Sequence, residues 1–252
     1  MDTSLKDRVI LVTGGSTGIG RAVALAYGAE GARVALTYHT DEPRAEKTAA
    51  AIREAGGTAL TVPADLSESA SLGQALQRVH DTWGGLDVLI NNAVQWPRPG
   101  WPPDFAAEDP GQWRQTLRVN LEGVIDLTQR ALPLLRAGGW GRIVFLSSGA
   151  TEYGMPGEEA YAAAKSAVHG FARCLARDVG PQGILVNTVM PGLTTTEHSL
   201  AAVPEPIRQA VAQQSPTQRL STPADVAAAV LFLGSGANGN ITGEILRVSG
   251  GN

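Results

Sequence analysis

Cysteine is almost missing from this sequence, since Cys174 is the single one among 252 residues. One cysteine cannot build an internal disulfide framework and fits a reducing compartment. Long hydrophobic runs are also missing: the longest strongly apolar stretch, residues 226–233, is far shorter than the roughly 20 residues that span a bilayer. Residues 1–7 are polar and lack the apolar core of a signal peptide. We therefore expect a soluble, cytoplasmic protein without a membrane partner.

An excess of positive charge is missing as well. The chain has 20 Lys and Arg against 24 Asp and Glu, a net charge of −4. Without a broad basic surface, nucleic acid is not an expected partner. What is present is ordinary for a globular protein, with 43% hydrophobic and 17% charged residues. No repeat, low-complexity tract or linker interrupts the pattern, so we expect a single domain over residues 1–252.

Short β-rich runs alternate with longer helical patterns along the chain. Continuously apolar strands between helices are typical of a parallel sheet covered on both faces. The expected fold is α/β, a single-domain Rossmann-like, doubly wound parallel sheet of about seven strands flanked by helices on both faces. Strands are predicted over residues 8–12, 33–38, 58–63, 87–90, 142–146, 184–189 and 244–248. Helices are predicted over residues 18–30, 43–55, 112–136, 158–179 and 223–233, among others.

Two segments break this alternation. Residues 95–110 carry Trp96 and Trp101 among prolines, which disfavour regular helix or central strand. Residues 193–221 have Thr-rich, Pro-punctuated ends around a helical stretch. We expect both to be loops or lids over the carboxyl edge of the sheet, with 193–221 as the lid or substrate segment. Surface loops without a function are the alternative.

A glycine-rich turn joins the first predicted strand to the first helix, with glycines at 14, 18 and 20. Glycine permits positive φ and lets the backbone approach an anion closely. The N-terminus of the following helix presents free N–H groups and the positive end of its dipole. The turn therefore favours phosphate binding, and a tight turn that binds nothing is the alternative.

The turn and later motifs together resemble the short-chain dehydrogenase/reductase (SDR) family, in its subgroup of roughly 250 residues. Within that family, the chain most resembles the 3-oxoacyl reductase-like members, and the resemblance covers essentially its whole length. The order of the motifs is more specific than any one of them. The matching residues are Thr13-Gly14 to Gly20, Asp65, Asn91-Asn92-Ala93, Asn120, Ser148, Tyr161 with Lys165, Pro191-Gly192 and the tail around residues 241–251.

Tyr161 and Lys165 are four residues apart on a predicted helix, so their side chains share one face. Reduction of a carbonyl requires a hydride at carbon and a proton at oxygen. A phenol has an ordinary pKa near 10, and a neighbouring ammonium lowers it. The spacing alone is common on amphipathic helices. The resemblance implies that Tyr161 is the acid/base of an NAD(P)-dependent oxidoreductase and that Lys165 assists it.

Two more residues complete the catalytic set that the resemblance implies. Ser148 lies thirteen residues before Tyr161, the family's separation, and would donate to the substrate oxygen. Ser147 is the alternative candidate for this role, and either serine could instead stabilise a turn or cap a helix. Asn120 would hold a water that links Lys165 to solvent, while a solvent-facing or core-bonded amide is the alternative.

Cofactor contacts are also implied residue by residue. Asp65 would accept from the adenine amino group, Asn91 would lie beside the ribose, and Thr196 would meet the carboxamide. Thr194 and Thr195 are possible substitutes, and helix capping is the alternative for these threonines. Val94 stands where the family usually has Gly, which puts the local cofactor geometry in doubt. No metal site is assigned. The full predicted cofactor set is Gly14, Ser16, Thr17, Gly18, Ile19, Gly20, His39, Asp65, Leu66, Asn91, Ala93, Tyr161, Lys165, Pro191, Gly192, Thr194 and Thr196.

The end of the second predicted strand bears on the choice of nicotinamide. NAD-preferring enzymes usually place an acid there, and this chain has Tyr38. Asp41 and Glu42 come later, and His39 and Arg44 can supply positive charge to a 2′-phosphate. Thr17 is neutral where many NADP enzymes of the family carry Lys or Arg. We expect NADP(H) to be favoured, with NAD(H) possible.

Three functional hypotheses follow. The first is an oxidoreductase that moves a hydride between NAD(P)(H) and a small-molecule carbonyl or secondary alcohol, with 3-oxoacyl or related ketones as candidates. Trp96, Trp101, Tyr153 and Met155 would line its apolar pocket with the 193–221 segment. The second is a non-enzymatic NAD(P)-binding sensor or structural relative. The third, a hydrolase through Cys174, lacks a recognisable base.

A homo-oligomer, a tetramer or a dimer, is also expected. The predicted helices over residues 112–136 and 158–179 have wide apolar stripes, and the family commonly pairs these helices.

Overall fold

The computed structural model describes residues 2–96 and 105–252. In this part of the chain, seven parallel strands form one sheet in the order β3-β2-β1-β4-β5-β6-β7. The strand order reverses between β1 and β4, where doubly wound sheets open a binding crevice at their carboxyl ends. The strands are β1 (Val9–Val12), β2 (Arg33–Tyr38), β3 (Thr58–Pro63), β4 (Val88–Asn91), β5 (Gly141–Leu146), β6 (Ile184–Pro191) and β7 (Ile245–Val248).

Helices connect the strands and cover both faces of the sheet. None of the helices within residues 2–96 and 105–252 has the length and apolar character to cross a membrane. They are α1 (Gly18–Ala29), α2 (Glu42–Glu54), α3 (Ser69–Trp83), α4 (Pro110–Leu117), α5 (Gly123–Ala137), α6 (Ala150–Tyr153), α7 (Glu159–Val179), α8 (Glu197–Ala202), α9 (Glu205–Gln214) and α10 (Pro223–Leu233).

The hydrophobic core is divided by the sheet, as alternation along the strands requires. On β1, Leu11 packs on one face with residues of α3, α5 and α7. Its neighbours Ile10 and Val12 pack on the other face with residues of α1, α2 and α10. The central strands are buried from both sides, which explains why they are apolar throughout. This rigid centre fixes the strand ends that carry the candidate site.

Residues 112–136 are helical as predicted, but they do not form one regular α-helix. The structure divides this stretch into α4, a π-helical turn (Arg118–Glu122) and α5. A π-helical turn inserts one residue per turn, and here it brings the Asn120 side chain to full burial. Gly123 then lies so close to Leu66 that a Cβ would be 2.0 Å from the Leu66 carbonyl oxygen. A single inserted residue shifts the apolar pattern by only one position, which is too small a change to recognise in one sequence.

The two irregular segments differ in what they contain. The 193–221 segment holds α8 and α9, and a parallel bridge between Thr194 and Ser221 closes its base. Of the 95–110 segment, residues 97–104, including Trp101, lie outside the described residues. The remainder contains a 3₁₀ turn (Phe105–Ala107) and the start of α4, which Asp109 caps by accepting from the Gly111 N–H at 3.0 Å. The 193–221 segment and residues 95–96 follow the carboxyl ends of β6 and β4.

Candidate active site

The glycine-rich turn has a backbone that depends on its glycines. Gly14 and Gly18 have φ values of +64° and +52°, which side chains disfavour. A Cβ on Gly20 would lie 2.1 Å from the Gly14 carbonyl oxygen and 2.4 Å from the Asn92 amide nitrogen. The Gly14 N–H donates to the Thr37 hydroxyl at 3.1 Å, which ties the turn to β2. The turn is therefore a closely packed backbone structure with little room for change.

Thr13 and Asn92 fasten the turn to the end of β4. The Thr13 hydroxyl accepts from the backbone N–H groups of Asn92 and Ala93, both at 2.9 Å. The Asn92 side-chain amide donates back to the carbonyls of Thr13, at 2.8 Å, and Gly14, at 3.2 Å. Both residues belong to motifs that carry the family resemblance, but neither was predicted to have a role of its own. Threonine before the first glycine and the second asparagine of the Asn-Asn-Ala motif were the available signals.

The start of α1 is arranged to receive an anion. Thr17 is its extended N-cap residue, and within the described residues its side chain makes no capping hydrogen bond. The first N–H groups of α1, at Gly18 and Ile19, therefore point toward the cleft with the positive end of the helix dipole. The Ser16 carbonyl, just before α1, accepts from the Thr48 hydroxyl of α2 at 3.3 Å, which ties the turn to that helix.

At the ends of β2 and β3, two predicted cofactor residues meet. The His39 imidazole lies 3.2 Å from an Asp65 carboxylate oxygen, and the His39 side chain is 66% exposed. Burial alone would raise the pKa of Asp65, but hydrogen bonds from Ser67 and the nearby His39 outweigh it and lower that pKa. Leu66, the next residue, is buried against the core.

The groups considered for 2′-phosphate binding have other contacts in this structure. Arg44 pairs with Asp41 at 3.2 Å, with both side chains largely exposed. Glu42 is hydrogen-bonded to Tyr38 and, after burial, is a cause of the raised pKa of that phenol. An acid thus reaches the end of β2 from the first turn of α2, which the linear pattern did not reveal.

Asn91 is turned into the protein rather than toward the cleft. Its side chain is 3% exposed and donates to the Thr128 hydroxyl at 3.2 Å. Its Oδ1 atom is buried and has no hydrogen-bond partner among the described residues. Ala93 and Val94, which follow β4, are half-buried at the edge of the crevice. A cofactor beside Asn91 would therefore meet backbone groups of this strand end.

The catalytic candidates are brought together at the ends of β5 and α7. The hydroxyls of Ser148 and Tyr161 are hydrogen-bonded. The Lys165 ammonium lies 5.9 Å from the centre of the Tyr161 ring and donates to the Leu146 carbonyl at 2.8 Å. Tyr161 and Lys165 are only 3% and 4% exposed. Three side chains predicted from two motifs thus form one cluster.

Burial shifts the pKa values of the two ionisable residues of this cluster, Tyr161 and Lys165, in opposite directions. It raises the pKa of Tyr161 well above its ordinary value, an effect that the hydrogen bond from Ser148 reduces. It lowers the pKa of Lys165 to about 8, because a buried ammonium is poorly solvated. Without a cofactor, Tyr161 is therefore a protonated phenol, which is the form that can give a proton to a carbonyl oxygen.

Ser147, the rival of Ser148, has a different set of partners. Its hydroxyl lies 2.6 Å from Nε2 of His169 and 3.5 Å from the Lys165 carbonyl. It is buried beneath α7 and not bonded to Tyr161 among the contacts of the described residues. The geometry therefore favours Ser148 as the hydroxyl that meets a substrate.

Asn120 lies in the π-helical turn and binds the chain after β4. Its Oδ1 accepts from the Gln95 N–H at 2.9 Å, and its amide donates to the Gln95 carbonyl at 2.8 Å. The side chain thus forms the core-bonded amide that was the alternative reading. The contact also holds Trp96, the next residue, in place over the site.

The threonines after β6 form the base of the lid. Gly192 donates to the Val248 carbonyl at 3.0 Å, which joins this turn to β7, while the Pro191 carbonyl accepts from Gly149. Thr194 is buried and donates to the Gly192 carbonyl. Thr196 is the N-cap of α8 in a capping box with Ser199.

Thr196 also touches the phosphate turn. A Cβ on Gly18 would lie 3.2 Å from the Thr196 methyl group. Thr196 therefore combines a capping role with a position in the cleft, so the two expectations for it are compatible. A cavity of about 410 Å³ lies beside this contact, lined by residues of α1, α8 and α10.

The features above fit a dinucleotide. The glycine turn brings backbone N–H groups to a crevice that a side chain would fill, and the catalytic cluster lies at the same edge of the sheet. In residues 2–96 and 105–252, no group of three or more His, Cys, Asp or Glu side chains is placed to hold a metal ion.

Comparisons with known proteins agree with this arrangement. The family model described as Enoyl-(Acyl carrier protein) reductase matches residues 14–252. The 3-oxoacyl-(acyl-carrier-protein) reductase FabG of Aquifex aeolicus (strain VF5) is 35% identical over 254 residues, covering 100% of this chain and 99% of the relative. Acetoacetyl-CoA reductase of Rhizobium meliloti (strain 1021) is 36% identical, covering 97% and 98%.

Solved structures give the same result. A short-chain dehydrogenase from Burkholderia cenocepacia J2315 in complex with NADP has a TM-score of 0.90 at 37% identity, covering 98% of each chain. A double mutant of a Serratia marcescens short-chain dehydrogenase/reductase also has a TM-score of 0.90, at 34% identity and the same coverage. The chain belongs to the short-chain dehydrogenase/reductase family, and is an NAD(P)-dependent oxidoreductase acting on C=O and CH–OH groups.

Proposed function

We propose that this protein reduces ketones with NADP(H), with Tyr161 as the proton donor. One observation carries the proposal: Ser148, Tyr161 and Lys165 form a buried cluster at the carboxyl edge of the sheet that also carries the glycine turn. That placement puts a proton donor and a phosphate cradle on the same crevice.

The residues of the cluster divide the work as follows. The bound nicotinamide supplies the hydride that reaches the carbonyl carbon. Ser148 donates a hydrogen bond that holds the carbonyl oxygen beside Tyr161. Tyr161 gives its proton to that oxygen as negative charge develops, and the Lys165 ammonium stabilises the phenolate that remains. In the alcohol-oxidising direction, the same groups act in reverse, and Tyr161 is the base.

Recovery of the Tyr161 proton requires a path to solvent. Asn120, which the resemblance assigned to a water on this path, lies beside the Gln95 backbone in a π-helical turn. We propose that the turn exposes a backbone carbonyl to such a water while the Asn120 side chain holds the Gln95 segment. Lys165 is the residue that passes the proton onward.

The substrate class is proposed from the relatives. FabG of Aquifex aeolicus is named as a 3-oxoacyl reductase and the Rhizobium meliloti relative as an acetoacetyl-CoA reductase, and both match nearly the whole chain. A 3-oxoacyl thioester or related ketone is therefore the first class to test. Trp96 and Tyr153, which lie near Tyr161, and the exposed Met155 are proposed to form the apolar wall of the pocket.

NADP(H) is proposed over NAD(H) because β2 ends in Tyr38 rather than an acid. His39 lies beside Asp65 and can turn to a 2′-phosphate, since its side chain is largely exposed. The Burkholderia cenocepacia relative, whose structure is described as an NADP complex, supports the choice. The Glu42 carboxylate at the Tyr38 hydroxyl favours NAD(H) instead. The preference for NADP(H) therefore rests on the balance among these few side chains.

The test is a steady-state screen of purified protein with NADPH and NADH over 3-oxoacyl thioesters, β-keto esters, quinones and simple ketones. We expect turnover of at least one ketone class and a higher kcat/KM with NADPH than with NADH for the same substrate. A higher kcat/KM with NADH contradicts the cofactor proposal. Cofactor binding without turnover of any carbonyl, or turnover of an enoyl thioester alone, contradicts the reaction.

A single domain, a cytoplasmic location and a homo-oligomeric state, tetramer or dimer, remain proposals from the sequence. Size-exclusion chromatography with light scattering tests the last of these, and a monomer at micromolar concentration contradicts it.

A further inference from the structure

Three aromatic rings from three separate elements meet above the catalytic cluster. Trp96, on the chain after β4, lies 5.3 Å from the Tyr161 ring, centre to centre, with the planes inclined by 31°. The other neighbour of Trp96 is His198 of α8, at 5.0 Å and nearly parallel at 14°. These spacings are those of favourable aromatic pairs. We name the rings of Trp96 and His198 the aromatic pair.

The aromatic pair closes the site. Tyr161 is 3% exposed although its hydroxyl must meet a substrate, while Trp96 above it is 42% exposed. His198 belongs to the lid, and its contact with Trp96 joins α8 to the chain after β4. A substrate therefore reaches the Tyr161 hydroxyl next to the Trp96 ring, and the lid must release that ring first.

Trp96 is held in place for such a role. Its neighbour Gln95 is bonded through both backbone polar groups to the buried Asn120 side chain, at 2.9 and 2.8 Å. His198, by contrast, is an exposed residue of a short lid helix. The Trp96 ring is thus anchored to the core, whereas the His198 ring can move with the lid.

Resting on the proposed reductase function, we propose that Trp96 is a specificity-determining residue whose indole stacks on the planar group of aryl or conjugated ketones. His198 occupies that indole face when no substrate is bound. A planar group replaces one stacked ring by another, so the stacking contact is kept while the lid opens. A saturated ring of the same size cannot make this contact.

The probes are acetophenone and cyclohexyl methyl ketone, which carry the same carbonyl on a planar and a saturated six-membered ring. We measure the ratio of their kcat/KM values, because comparing variants cancels the different intrinsic reactivity of the two ketones. Trp96→Leu is expected to lower the aryl-to-alkyl ratio by about 2- to 12-fold, the range for one aromatic pair. Trp96→Phe is expected to keep most of the ratio.

His198→Ala gives the second arm. Removal of the competing ring is expected to lower KM for both ketones by a similar factor, because either substrate must displace His198 from the indole, with the aryl-to-alkyl ratio and kcat changed little. The matched controls are Trp113→Leu on α4, whose indole lies beside the Arg114 guanidinium, and His80→Ala, an exposed residue of α3. Both controls are expected to leave the ratio unchanged.

Binding separates this inference from the reaction on which it rests. Calorimetric Kd values of 1-phenylethanol and 1-cyclohexylethanol are measured on the NADP-bound wild type and Trp96→Leu protein. A loss of aryl preference in Trp96→Leu supports the inference even if the wild type turns over no ketone of the whole screen. That lack of turnover would overturn the proposed function alone. An unchanged preference in both assays overturns the role of Trp96. KM values for both ketones that stay unchanged in His198→Ala, as they should in His80→Ala, overturn the role of His198.

Discussion

The phosphate turn and the substrate side of the crevice are built in different ways. The turn is made of backbone, with glycines at positive φ and carbonyls that accept from the Asn92 side-chain amide, while the Thr13 hydroxyl accepts from the N–H groups after β4. The substrate side is made of side chains on α7, the chain after β4 and the lid, and its contacts are rings and hydroxyls. Backbone recognition suits a phosphate, a group that every nicotinamide dinucleotide carries, while side chains can vary with the substrate.

The largest expected effect is a loss of catalytic activity when Lys165, on the substrate side, is replaced. Lys165→Met removes the ammonium that stabilises the Tyr161 phenolate, so we expect kcat/KM for ketone reduction to fall by about 10²- to 10⁴-fold. Lys47→Met, at an exposed lysine of α2, is the matched control and is expected to retain activity. Activity of the Lys165→Met protein within a factor of two of the wild type would remove Lys165 from the mechanism.

The charge of Lys165 also predicts a pH dependence of stability. Burial lowers its pKa to about 8 from an ordinary 10.5, so the folded protein must bury an ammonium below pH 8. As pH rises through 8, the folded lysine loses its proton while the unfolded lysine keeps it, and stability increases. The gain should be about 2–3 kcal/mol between pH 8 and 10, at about 1.4 kcal/mol per pH unit.

Urea unfolding of the cofactor-free protein from pH 7 to 10 measures this gain as a difference. The free energy of unfolding of the wild type should rise relative to that of Lys165→Met over this interval. Parallel curves for the two proteins would show that Lys165 is charged in the folded state throughout.

On the phosphate side, Gly20→Ala tests the backbone packing. The added Cβ would lie 2.1 Å from the Gly14 carbonyl oxygen, so the turn must move. We expect a loss of about 1–3 kcal/mol in the free energy of unfolding, together with weaker NADPH binding. Gly170→Ala on α7, where a Cβ meets nothing within 4 Å, is expected to be neutral or slightly stabilising. Equal effects of the two substitutions would contradict the account of the turn.

The smallest expected effect lies where the two regions touch. Thr196→Ala removes the N-cap of α8 and the methyl group that faces Gly18, at a cost of about 1 kcal/mol. We expect a moderately higher KM for NADPH and a nearly unchanged kcat. Thr196→Ser keeps the cap hydroxyl and is expected to behave like the wild type. The same KM for all three proteins would place Thr196 outside the cofactor contacts.

The sequence predicted the sheet closely, because its strands are apolar runs buried on both sides and their ends are marked by turns. The bounds of β2 and β3 agree residue for residue, and β6 extends to Pro191, two residues beyond the prediction. Short-range patterns report burial, and burial is what forms these strands.

The site was predicted unevenly, for a physical reason. Ser148, Tyr161 and Lys165 follow fixed spacings, so their motifs identified them. The π-helical turn around Asn120 shifts the apolar pattern by only one position, and the contact of Trp96 with His198 joins residues far apart in the chain. Such contacts arise from the packing of whole elements and have no local signal.

The central claim is that Tyr161 delivers the proton, and Tyr161→Phe tests it most directly. Tyr27→Phe is the matched control, since the Tyr27 hydroxyl donates to the Val230 carbonyl in the core, away from the cluster. We predict that Tyr161→Phe lowers kcat for NADPH-dependent ketone reduction by about 10²- to 10⁴-fold with an unchanged Kd for NADPH, while Tyr27→Phe keeps its kcat. Retained turnover in Tyr161→Phe would contradict the account.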